Sequence, residues 1–287
     1  MERRTFLTAA AATLAASRLG AAEQRLPIKK ALYESMLPSK LSYADRFKMA
    51  RDVGFEQVEC GTQTDQNKAA EIKKAAEAAG VRIHSVMNQA HWEFPLSSPD
   101  AAVVAKSIQG LETSIRNAHF WGADTVLLVP AVVTPQVGYH DAWVRSQQNI
   151  RKVLPLAEKL KVVIALEEVW NKFLLSPLEF ARYVDEFKSP WIKAYFDIGN
   201  IVFYGYPQDW IRTLGKRIVK LHLKDFRFAH EKTEWKNLRD GAVDWHAVYA
   251  ALKEIGYNGT ATCELEGGDE AYLKDVSHRV DLILTNA

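Results

Sequence analysis

From residue 28 onward the chain alternates short β-branched runs with longer amphipathic stretches, eight times over. So regular an alternation restricts the fold to a parallel sheet wrapped by helices, because parallel neighbours need a crossover and a helix is the usual one. The strand candidates are IKKALYESM (28–36), EQVECG (56–61), RIHSVMN (82–88), TVLLVPA (125–131), VVIALEEV (162–169), IKAYFDIG (192–199), IVKLHLKDF (218–226) and GTATCELEG (259–267). Between them YADRFKMARDVG, KAAEIKKAAEAAG and WHAVYAALKEIG have helical spacing, and each ends at a glycine suited to a left-handed cap. A last helix begins near Glu270. Eight β-then-α units predict an α/β fold, a single (β/α)8 TIM barrel over residues 23–287, with no internal linker.

Residues 1–22, MERRTFLTAAAATLAASRLGAA, stand outside the pattern and have the layout of an export signal: Arg3 and Arg4, then Phe6-Leu7, an alanine-rich run and small residues. The apolar run is about half of the roughly 20 residues needed to cross a bilayer, so stable membrane insertion is not expected. The paired arginines resemble a twin-arginine signal, which exports folded protein and predicts a periplasmic location after cleavage. The whole chain carries 37 Lys plus Arg against 35 Asp plus Glu, a net +2. Loss of Arg3, Arg4, Arg18 and Glu2 with the leader leaves the mature chain neutral. A neutral chain without a basic block is a poor nucleic-acid binder, so the expected partner is a small molecule, with homo-oligomer formation left open. Cys60 and Cys263 are too few for a disulfide framework and read as buried free thiols.

In a barrel of this kind chemistry gathers at the C-terminal strand ends. The last four strands each carry a metal-ligand side chain there: Glu167 in ALEEVWN, Asp197 in YFDIGN, His222 in KLHLKD and Glu264 in TCELEGG. Successive strand ends are neighbours, so the four side chains are expected to converge. Three carboxylates and an imidazole are a hard set, suited to Mn²⁺ or Mg²⁺ more than to a thiolate zinc site. Strand alternation supports the same set. Val219, Leu221 and Leu223 share one face, leaving Lys220, His222 and Lys224 to point inward; Thr260, Thr262, Glu264 and Glu266 oppose Ala261, Cys263 and Leu265. Glu168 rivals Glu167, but alternation with Val163 and Ala165 favours Glu167.

These motifs resemble the xylose isomerase-like TIM barrels, the sugar isomerase/epimerase superfamily. The resemblance spans residues 28–286. It rests on Leu166-Glu167-Glu168, Asp197-Ile198-Gly199-Asn200, His222-Leu223-Lys224-Asp225, the stretch from Val243 to Gly259, and Glu264. It implies one divalent metal, usually Mn²⁺ with Mg²⁺, Co²⁺ or Zn²⁺ as alternatives, bound by Glu167, Asp197, His222 and Glu264. It also implies that Glu167 and Glu264 are the catalytic acid/base pair. A proton α to a ketone can be removed if a cation holds the charge of the resulting enediolate. Two carboxylates can then return the proton to the other face or to the adjacent carbon, giving epimerisation or isomerisation. Many ketose 3-epimerases of the group have His three residues after the metal Asp, whereas this chain has Asn200, an amide that binds a hydroxyl but does not share a proton near neutral pH.

Other candidates for substrate binding lie in the loops of the same rim. His91 and Trp92 follow the third strand, and Asn171 follows Glu167 with Trp170; each serves either the pocket or the packing of its own loop. Asn200 and Lys224 complete the set. The connection 226–243, with Trp235 and Arg239, is long enough for a lid. In Glu266-Gly267-Gly268-Asp269-Glu270 three carboxylates would repel a phosphate, which points to an unphosphorylated sugar or keto-sugar. The expected activity is a metal-dependent sugar isomerase or epimerase. The alternatives are a keto-sugar lyase or dehydratase, an apurinic-site endonuclease-like phosphodiesterase and a non-catalytic sugar-binding barrel.

Overall fold

All eight expected runs form strands in the computed structural model: β1 (Lys29–Tyr33), β2 (Gln57–Gly61), β3 (Arg82–Met87), β4 (Thr125–Leu128), β5 (Val163–Glu167), β6 (Ile192–Asp197), β7 (Ile218–Leu223) and β10 (Thr260–Cys263). They close a barrel in the order β1-β10-β7-β6-β5-β4-β3-β2, and every neighbouring pair is parallel. The structure describes residues 24–228 and 233–287, so the leader expected over 1–22 lies outside the described residues.

The strands are shorter than expected at their C-terminal ends. The apolar run after Leu128 continues because the loop itself is buried, with Val129 2% and Ala131 1% exposed, although the ladder has ended. The run 218–226 divides: β7 stops at Leu223, and Asp225–Phe228 (β8) pairs antiparallel with Thr233–Lys236 (β9) as a hairpin. The long connection expected over 226–243 is therefore built on a ribbon of its own.

Alternation holds along most strands. Tyr33, Met87, Leu127, Val129, Ala165 and Tyr195 fill the barrel, while Ile164, Leu166, Leu221, Leu223, Ala261 and Cys263 pack outward under the helices. Val219 is a correction: it packs on the inner cluster, because the β6–β7 register shifts from Ala194↔Ile218 to Tyr195↔Lys220 and leaves Val219 unpaired. Polar pairs occupy the rest of the interior. Lys220 Nζ lies 2.8 Å from Asp124, Thr262 bonds Tyr195 and His84, and Thr260 bonds Gln57.

The helices begin where the sequence provides caps. Ser42, Asp65, Asp100, Ser176, Asp244 and Asp269 each accept a backbone N–H of the following first turn. Gly80 ends the second major helix at φ 66°, the left-handed cap that its sequence announced. Cys60 and Cys263 are buried and free. Among the described residues no helix is long and apolar enough to cross a membrane.

Candidate active site

Glu167 and Asp197 are the last residues of β5 and β6, and His222 is the last but one of β7. Glu264 is the first residue past β10, held there by its N–H to Leu223 O at 3.3 Å. In the ladders Asp197 pairs with His222, Glu167 pairs with Tyr195, and Glu264 lies two residues past Thr262, the partner of His222. One ligand atom from each lies within 4.8 Å of the others. Nδ1 of His222 is 2.8 Å from Glu167 Oε1, 2.9 Å from Glu264 Oε2 and 3.8 Å from Asp197 Oδ2.

The donor set fits a divalent cation for two further reasons. Asp197 Oδ2 is buried and accepts no well-aligned hydrogen bond, although Lys224 Nζ stands 2.9 Å away. Behind the imidazole, His222 Nε2 lies 2.7 Å from Glu59 Oε2, and Ser85 Oγ donates to Glu59 Oε1 at 2.7 Å. With Nε2–H donated to Glu59, Nδ1 is the nitrogen turned toward the cluster, an arrangement that would fix ring and tautomer for a metal. Glu59 was not among the sequence candidates. Its signal was parity: Gln57 and Glu59 alternate with the apolar Val58 and Cys60 along β2.

Lys224 lies against the acid of the cluster. Its Nζ reaches Glu264 Oε2 at 2.7 Å as well as Asp197. Burial opposes its charge, but Asp197, Glu264 and Glu167 outweigh burial and raise its pKa. Likewise burial would discharge His222, and Glu264, Glu59 and Glu167 instead keep it protonated well above its usual range. The two glutamates differ. Burial lifts Glu167 to about 7 despite His222. Burial also acts to raise Glu264, but Lys224 and His222 overcome it and hold that carboxyl well below the usual carboxylate range.

Glu168, the sequence rival, stays out of the cluster and accepts the Asp197 N–H at 2.9 Å. Burial first, then Asp197 and Glu167, push its pKa well up. Asn200 supports the same turn: its N–H bonds Asp197 Oδ1 at 3.0 Å and its Nδ2 bonds Glu168 O at 3.0 Å. Asp225, of the His222-Leu223-Lys224-Asp225 motif, is fully buried and accepts from Phe226 N, Val243 N, Arg239 N and Trp245 Nε1 at 2.9–3.2 Å. It ties down both ends of the excursion that carries the hairpin.

His91, Trp92, Asn200 and Lys224 all line one cavity of about 240 Å³ together with Glu167 and Glu264. Met87, Leu127, Val129 and Val169 give it an apolar wall. Burial lowers His91 to about 4, so the ring is neutral. Its Nδ1 faces Asn88 O at 2.9 Å, an atom that only accepts, so Nδ1 bears the proton and Nε2 is left as an acceptor. Asn171 stands apart from that cavity. Its Nδ2 donates to Ala131 O in the loop after β4 at 2.6 Å, and its Oδ1 accepts from Phe173 N in its own loop at 3.1 Å.

The profile of xylose isomerase-like TIM barrels matches residues 47–281. L-ribulose-5-phosphate 3-epimerase UlaE of Salmonella paratyphi C is 27% identical to the chain, over 82% of the chain and 86% of that protein. Among solved structures, a D-tagatose 3-epimerase-like protein superimposes with TM-score 0.78 at 17% identity, covering 90% of this chain and 98% of its own. An L-ribulose 3-epimerase does so with TM-score 0.75 at 20% identity, covering 90% and 95%. Convergent strand ends, the matching profile and these relatives agree: the chain is an enzyme and belongs to the xylose isomerase-like TIM barrel family.

Proposed function

We propose that the protein is a divalent-metal-dependent epimerase or isomerase of an unphosphorylated sugar or keto-sugar, working by proton transfer α to a carbonyl. One observation carries the reading. Glu167 and Glu264 approach a common point from strands on either side of the β6–β7 pair, so two carboxylates can reach two sides of one bound substrate. A divalent ion held by Glu167, Asp197, His222 and Glu264 would supply positive charge beside the substrate carbonyl, Mn²⁺ being preferred for this oxygen-rich set. One carboxylate takes the carbon-bound proton and the other returns it. Lys224 and Asn200 line the same cavity and offer donors to substrate oxygens, the Nε2 of His91 accepts a substrate hydroxyl proton, and the Trp92 ring stacks on a sugar face. The activity of the UlaE relative, a sugar-phosphate 3-epimerase by name, supports the epimerase outcome.

The test is incubation of Mn²⁺-loaded protein with a panel of ketoses and keto-glycosides in D₂O, reading by NMR which carbon gains deuterium. Exchange at C3 denotes a 3-epimerase and exchange at C1 or C2 an isomerase. Glu264→Gln is expected to abolish exchange, and a variant that turns over normally overturns the assignment. The amide of Asn200, in place of a proton-sharing His, favours a lyase as the second reading, which the same spectra report as release of the aglycone. We also propose export to the periplasm, on the strength of Arg3-Arg4 and the apolar run that follows. Cell fractionation of the tagged chain checks it: unprocessed protein confined to the cytosol ends that idea.

A further inference from the structure

A second cavity, of about 390 Å³, adjoins the first, and the two share Lys224, Trp235 and Glu264 in their walls. The smaller one alone touches both glutamates. At about 240 Å³ it falls below the roughly 300–1,000 Å³ usual for ligand clefts, room for one small ring. The larger one is walled by Tyr33, Leu265, Tyr272 and Trp235, with Ser35 and Asn237 at its edge. Rings beside a hydroxyl and an amide are a surface for the faces and hydroxyls of a second sugar or of an aromatic aglycone.

Aromatic contacts seat Trp235 at the boundary between the cavities. Trp235, on β9, stacks on Trp170 with ring centroids 4.9 Å apart and 15° between planes. Phe226 meets it edge-on at 5.1 Å, and Lys224 Nζ lies 5.6 Å from its centroid. Among the described residues, each cation that lines the second cavity already faces a carboxylate. Lys224 lies against Asp197 and Glu264, Lys236 against Glu234, and Glu266 adds a further carboxylate to the wall.

We propose that the substrate is an uncharged two-part carbohydrate, a keto-sugar glycoside. Its reacting ring occupies the cavity against Glu167 and Glu264, and its second unit occupies the neighbouring cavity beyond Trp235. This rests on the proton-transfer reading given above and names the substrate class of that site.

The experiment compares deuterium exchange from D₂O into three probes with Mn²⁺-loaded protein: free ketohexoses, ketose phosphates, and methyl and phenyl glycosides of a keto-hexose. The glycosides are expected to exchange with kcat/KM at least tenfold above the free ketohexoses. Ser35→Trp, which fills the second cavity from its exposed edge, is expected to remove that advantage, and Tyr272→Ala to reduce it through KM. Exchange of a free ketose or a ketose phosphate as fast as the glycosides overturns the proposal while leaving the proton-transfer reading in place. So does an equal loss on all probes in both variants. Exchange with none of the three classes overturns the reading beneath it, and this proposal with it.

Discussion

Glu59 shows what a single residue can do without touching the reaction. It lies on β2, reaches His222 across the barrel, and is itself held by Ser85. Glu59→Leu is expected to weaken divalent-metal binding by about 10–100-fold, because the ring loses the acceptor that fixes its tautomer; Ser85→Ala should cost less. Isothermal titration with Mn²⁺ measures both, and unchanged affinity in Glu59→Leu refutes the positioning role. At this scale the sequence was readable where a reactive residue ends an alternating strand, as with Asp197 and His222. For Glu59 parity along β2 gave the face but not the partner, which stands on a strand far away in the chain. The sequence was not readable for Asn171, since one polar residue after Glu167 looks the same whether it faces the pocket or, as here, bonds Ala131 O.

Elements press on one another most closely where β6 leaves the barrel. A Cβ on Gly199 would lie 2.4 Å from the Cβ of Lys224 and 2.9 Å from its carbonyl oxygen, so the turn carrying Asp197 touches the exit of β7 with no room to spare. Gly199→Ala is expected to destabilise the fold by about 1–3 kcal/mol. It should also weaken metal binding by parting Asp197 from His222. Thermal melts and a metal titration check both, and a neutral variant would show the contact to be soft. All eight barrel strands were legible as elements, because period-2 apolar runs survive tertiary folding. The hairpin was not, since Asp225–Phe228 continues the composition of β7 and only the ending of the ladder separates them.

For the molecule as a whole, a bound ion is a stability term. At a free concentration 100 times its dissociation constant it adds about 2.7 kcal/mol. Mn²⁺ is therefore expected to raise Tm in the wild type, chelation to reverse it, and Glu264→Gln to lose the response; calorimetry decides. The opposite end of the barrel has an acid-sensitive tie. Asp124 receives Lys220 at 2.8 Å and Arg82 at 2.6 Å. Burial works to raise its pKa, but Lys220, Thr125 and Arg82 prevail and lower it. A depressed folded value means the tie contributes fully above the unfolded pKa of about 3.9 and is lost as pH falls through the folded one. The Tm gap between wild type and Asp124→Asn should therefore be largest near neutrality and narrow below about pH 4; a gap independent of pH contradicts the tie.

Asp225 fastens Phe226 at one end of the excursion and Arg239, Val243 and Trp245 at the other. Everything between is then a cassette whose two ends meet at one carboxylate, and it bears Trp235 but none of the four clustered ligands. Such a part can be exchanged for one of another length or aromatic content while that carboxylate and the ligands remain. Substrate range in this scaffold would then be revised by transplanting a ribbon, leaving the chemistry below it untouched.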